Sequence, residues 1–177
     1  MNFNKNPNLT PREKQLQTFT TCRLNLLIVV ILTVVNIVLF FAGSETMMLF
    51  SASVPYMAVI LATQMPLPAA AYLCYGVAVV CIVVYFLCWL LSKKHVGWFI
   101  PALVFFVLDT VAMGLLYLTV EDASGLLDIF FHAYVLYYLV MGLVSGYKLK
   151  KMPVAEELPK ITLEEDKPQV DPEHWAE

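Results

Sequence analysis

Four apolar runs, each long enough to cross a bilayer as a helix, divide this 177-residue chain, and every lysine and arginine falls on one side of them. The runs are residues 24–42, 72–91, 98–118 and 126–147. A helix rises about 1.5 Å per residue, so about 20 apolar residues cover a hydrocarbon core of roughly 30 Å. Lys5, Arg12, Lys14 and Arg23 precede the first run, and Lys93 and Lys94 lie between the second and third. Lys148, Lys150, Lys151, Lys160 and Lys167 follow the fourth. The other two connections carry only Glu45, Glu121 and Asp122. By the positive-inside rule, the chain is expected to cross the plasma membrane four times with both termini in the cytoplasm. The expected fold is all-α: a four-helix transmembrane bundle with an interfacial or re-entrant element after the first helix.

The composition leaves little room for anything else. Apolar residues make up 60% and charged residues 14%, against roughly a quarter charged in soluble domains. Residues 1–23 carry four basic groups and Glu13, and form a cytoplasmic segment ahead of the membrane domain at 24–147. Residues 148–177 begin with a basic junction and become an acidic, proline-containing tail without a helical period, a composition expected to stay disordered. Trp175 is the one large anchor residue in it. The basic groups next to the spans fit anionic-lipid contact, and no basic face exists to bind nucleic acid.

Two local signals refine the ends. Thr10-Pro11-Arg12-Glu13 reads as a capping box with proline at the first helical position, which starts the first helix near Pro11. The apolar core that follows is longer than a signal-peptide core, and no good cleavage site follows it. Residues 47–65 form a stretch of 19 without charge. A fifth span there would carry Lys93 and Lys94 across the membrane, so the stretch is expected to be interfacial or re-entrant and broken near Pro55. Pro68 is expected in the first turn of the second span.

Chemistry, if any, lies inside the membrane. Asp109 falls near the middle of the third span, where an unpaired carboxylate costs about 2.5–3.5 kcal/mol. Asp128 and His132 are four apart on the fourth span and share a helix face. Tyr134 and Tyr138 make a second such pair. Asn36 lies slightly outward of the centre of the first span, so Asn36, Asp109 and His132 are expected to approach one another in the outer half of the bundle. Such a cluster suits either proton or cation binding or an interhelical hydrogen-bond network that fixes packing; the second is the simpler expectation. No metal-ligand spacing is present.

The second span carries Cys74, Cys81 and Cys88 at intervals of seven, with Ala78 and Tyr85 on the same seam. This reads as a stripe of small residues for close helix packing. Gly142 and Gly146 offer another close-contact face, within the chain or between two copies. No phosphate loop, His-Glu-x-x-His or Gly-x-Ser-x-Gly motif occurs. No enzyme and no cofactor is therefore expected.

Residues 49–56 (LFSASVPY) and 128–139 (DIFFHAYVLYYL) resemble segments of uncharacterised small multi-span membrane proteins of bacteria. The resemblance implies a bacterial membrane protein and no particular activity. The expectation is an accessory or interaction protein of a membrane complex, with the bilayer and a membrane-protein partner or a second copy as its contacts. The alternative is a small transporter or channel built on the polar cluster.

Overall fold

The structure, a computed structural model, describes residues 9–44, 51–117 and 125–152. The order of elements is α1 Pro11–Phe41, α2 Ser53–Gln64, α3 Pro68–Leu91, a short 3-10 turn Val96–Trp98, α4 Phe99–Tyr117 and α5 Gly125–Lys151. The fold is all-helical, and α1, α3, α4 and α5 are long and apolar enough to cross a membrane. The chain is a multi-pass integral membrane protein. The acidic tail and Trp175 lie outside the described residues.

Helix α1 begins where its capping box puts it. Glu13 donates its N–H to Thr10 Oγ1 at 3.3 Å, and its carboxylate accepts the Thr10 N–H at 2.7 Å. With 31 residues α1 is about 46 Å long, so its first turns extend beyond a core of roughly 30 Å. It stops at a Schellman turn: Gly43 adopts φ 72°, its N–H reaches Phe40 O, and Ser44 N–H reaches Leu39 O, both at 3.0 Å.

Helix α2 is the element that the sequence leaves ambiguous, and Pro55 does not break it. Pro55 is the third residue of α2, in the first turn, where a backbone N–H has no helical partner and its loss costs nothing. The proline starts a helix. Met65 and Leu67 are extended, as residues before proline are, and the three-residue connection sets α2 antiparallel against α3. Pro68 occupies the first turn of α3, four residues before the expected start of that span.

The terminal face of the bundle holds the start of α1, the α3–α4 connection and the end of α5. There Arg23 donates from Nε to Ser92 Oγ at 3.0 Å and from Nη2 to the Trp89 carbonyl at 3.2 Å. A residue read from sequence as a topology charge is thus also a cap on the last turn of α3. Lys148, Lys150 and Lys151 end α5, which runs one turn past its expected limit.

Below the polar cluster the bundle is packed with apolar side chains. Leu26 and Val29 of α1, Cys88 of α3, Phe99, Ala102 and Phe106 of α4, and Leu139 of α5 are all at most 1% exposed. Gly142 and Gly146 make the close approach within the chain. A Cβ on Gly142 would lie 2.6 Å from Phe99 Cε1 and 2.9 Å from Cys22 Cβ, and one on Gly146 would meet Val96 and Phe19. The α3 seam is centred on Ala78, Tyr85 and Cys88, which are buried. Cys74 and Cys81 are only half-buried, Cys81 because it lines a side cleft between α3 and α4.

Candidate functional site

The polar cluster forms where α2 begins. A helix start leaves four backbone N–H groups without helical partners, and a positive end that favours an anion. Ala52, the N-cap of α2, supplies no side-chain cap. The sequence instead brings an acid from another helix. Asp109, in the middle of α4, accepts Val54 N–H on Oδ1 at 2.6 Å and Ser53 N–H on Oδ2 at 2.9 Å. One carboxylate thus grips two successive amides, and it is 3% exposed.

Helix α1 holds the residues just before. Thr33 Oγ1 accepts the Ala52 N–H at 2.8 Å while donating to the Val29 carbonyl at 2.7 Å. Asn36 Nδ2 donates to Ser51 Oγ at 2.8 Å. Thr33 lies eight residues before the end of α1, about 12 Å along its axis. The start of α2 is therefore inserted into the bundle, and α2 is a re-entrant helix in geometry, with its polar N-terminus buried and its C-terminus at the edge.

His132 closes the site from α5. Its Nε2 lies 3.1 Å from Asp109 Oδ2 and 3.4 Å from Ser53 Oγ, and its Nδ1 lies 2.9 Å from the Asp128 carbonyl oxygen. The ring stacks on Phe106, with centroids 5.1 Å apart. A carbonyl only accepts, so Nδ1 carries a hydrogen. The facing Nε2 and Oδ2 then need one further proton between them, since two lone pairs at that distance repel. The imidazole and the carboxylate are thus paired by a hydrogen bond inside the bundle. The carboxylate also meets the positive end of α2.

The expected residues are therefore distributed unevenly. Asn36, Asp109 and His132 do converge, His132 directly on Asp109 and Asn36 through Ser51. Asp128 and His132 share a face, but their side chains do not pair. The Asp128 carboxylate accepts the Tyr117 hydroxyl at 2.6 Å, and only its backbone carbonyl meets the imidazole. Tyr134 is elsewhere, packed on Tyr138 with centroids 4.6 Å apart. Thr33, close to Asn36 on the first span, also belongs to the site, as do Ser51, Ser53 and the amides of α2, which the sequence does not single out. The signal for them was Ser51-Ala52-Ser53-Val54-Pro55, a helix start with proline in its first turn.

Ser53, His132 and Asp109 are the residue types of a hydrolytic triad, but not its geometry. In a triad the serine and the carboxylate bind opposite ring nitrogens; here both face Nε2. The helix amides that could stabilise an oxyanion are taken up by Asp109. Among the described residues, no three His, Cys, Asp or Glu side chains gather as a metal site.

Among the described residues, a cleft and a groove border the cluster. A cleft of about 270 Å³ between α3 and α4 reaches Asp109 past Pro55, Cys81 and Tyr85. A groove of about 430 Å³ runs from Ser53 along α2 to Tyr117 and Asp128. No family model, curated protein or solved structure matches this chain.

Proposed function

We propose that this multi-pass protein is an accessory or interaction protein of the bacterial plasma membrane, with both termini cytoplasmic, and that its work is to present a fixed membrane surface rather than to turn over a substrate. The observation that carries this reading is the use made of Asp109. Both of its oxygens are committed to the backbone of α2, and one also to His132. Buried polar groups of this kind fix helix packing. The partner is a membrane protein or a second copy, and neither nucleic acid nor a cofactor is called for.

The test is purification of the intact protein in mild detergent from its own cells. A membrane protein that co-purifies in fixed stoichiometry, or a stable homo-oligomer, supports the reading. A monomer that retains nothing under conditions that preserve its fold rejects it.

One observation favours a second reading as a small transporter: the contact of 3.1 Å between the side chains of Asp109 and His132 inside the bundle. Against it stands the apolar layer of Leu26, Phe99, Phe106 and Leu139 between that pair and the terminal face. A pH-gradient dye assay in proteoliposomes separates the two. Proton flux above that of empty vesicles, lost in Asp109→Asn, would favour transport.

A further inference from the structure

The cleft between α3 and α4 has a tyrosine hydroxyl in its floor. Tyr85 of α3 is 4% exposed, and its ring stands edge-on to Phe106 with centroids 6.3 Å apart. Among the described residues the hydroxyl has no hydrogen-bond partner. Arg12 Nε is the one fully enclosed side-chain nitrogen or oxygen among them that lacks a partner. The Tyr85 oxygen therefore keeps accessible surface, and Tyr85 lines this cleft.

The cleft opens toward lipid. Cys81 and Asp109, which also line it, lie ten residues from the ends of α3 and α4 on the terminal face. That is about 15 Å along each axis, half of a hydrocarbon core of roughly 30 Å. Its mouth is apolar, with Leu108 59% and Phe105 42% exposed. At the depth of acyl chains, a hydroxyl without a partner is costly.

The chemistry of the floor selects what would satisfy it. Asp109 already accepts from Ser53 and Val54 and faces His132. The Tyr85 hydroxyl and, more weakly, the Cys81 thiol are donors. An anion would set its charge against the Asp109 carboxylate, and an acyl chain offers no acceptor. A neutral carbonyl on a planar ring answers both demands, with Pro55 and Phe105 as apolar walls. The volume of about 270 Å³ lies below the range of about 300–1,000 Å³ usual for a whole ligand. It takes a ring and leaves a tail in the lipid.

We infer that this cleft binds the ring of a lipid-soluble quinone, with one carbonyl accepting the Tyr85 hydroxyl and the isoprenoid tail leaving past Leu108. Binding alone is inferred, independently of the accessory reading.

The experiment is native mass spectrometry of the full-length protein in mild detergent with added decylubiquinone or decylbenzene. The first has a fully substituted ring that does not alkylate thiols, and the second has the same tail without carbonyls. One decylubiquinone per chain is expected, and no comparable retention of decylbenzene. Tyr85→Phe keeps the ring on Phe106 and should weaken decylubiquinone binding about tenfold, with thermal unfolding of the unliganded protein not lowered. Cys81→Phe fills the cleft and should abolish binding. Ala112→Phe, from an exposed position on the same cleft, takes its place should Cys81→Phe not fold. No retention of decylubiquinone by the native chain, equal retention of both probes, or binding undiminished by Tyr85→Phe overturns the inference. So does binding that persists in the folded wall variants.

Discussion

The Asp109 carboxylate accepts the Val54 N–H at 2.6 Å across 55 residues of chain. A cap that is normally supplied by the residue before the helix comes here from the middle of another helix. Removing it therefore acts on two elements at once. Asp109→Asn leaves a single oxygen acceptor and turns an amide NH₂ toward an N–H or an imidazole, at a cost of about 1–3 kcal/mol. Asp109→Leu strands two helix amides and His132, and should cost about 3–5 kcal/mol. Chemical unfolding in detergent micelles measures both, and equal stability of the two variants would show that the cap is not formed.

His132 can be separated from its ring packing. His132→Phe keeps an aromatic ring against Phe106 and deletes the nitrogen that faces Asp109. The carboxylate loses that hydrogen-bond partner, and destabilisation of about 3–5 kcal/mol is expected. In the double variant with Asp109→Asn the losses should fall short of additive by about 1 kcal/mol or more. Strict additivity would mean that the two side chains do not share a bond.

Two pairs of glycines should behave oppositely. Gly142→Ala drives a methyl into Phe99 and Cys22, and Gly146→Ala into Val96 and Phe19. Each should cost about 1–3 kcal/mol through overpacking. Gly76 and Gly114 have nothing within 4 Å of a built Cβ, so alanine there should be neutral or stabilising by up to about 1 kcal/mol. Thermal melting in one detergent ranks all four. Destabilisation by Gly114→Ala alone would indicate that the close-packed face has been placed wrongly.

Orientation can be read with single cysteines at exposed positions. Leu67→Cys, at the tip between α2 and α3, is expected to react with an impermeant thiol reagent from outside intact cells, above the level of the native chain. Lys94→Cys, on the terminal face, should react only after permeabilisation. Ser92 is unsuitable, because it is buried under Arg23. Labelling of Lys94→Cys from outside would reverse the topology.

The four spans, the start of α1 and the proline at the start of α3 were legible in the sequence because each rests on neighbours along the chain. A run of about 20 apolar residues is sufficient for a span, and a capping box is complete within four positions. Depth was legible too: alternating helices with a regular rise put Asn36, Asp109 and His132 at one level, where His132 meets Asp109 and Asn36 bonds Ser51, just before the start of α2. The tertiary structure decided what that level is for. Pro55 looked like a break because its local surroundings supply no cap, and the missing cap was Asp109 of α4. Asp128 and His132 looked like a pair because helical spacing puts them on one face, yet Tyr117 and Asp109 offered each a better partner from α4. A helix start buried among apolar side chains must have its N–H groups bonded, and only packing could bring a carboxylate to them from 55 residues away.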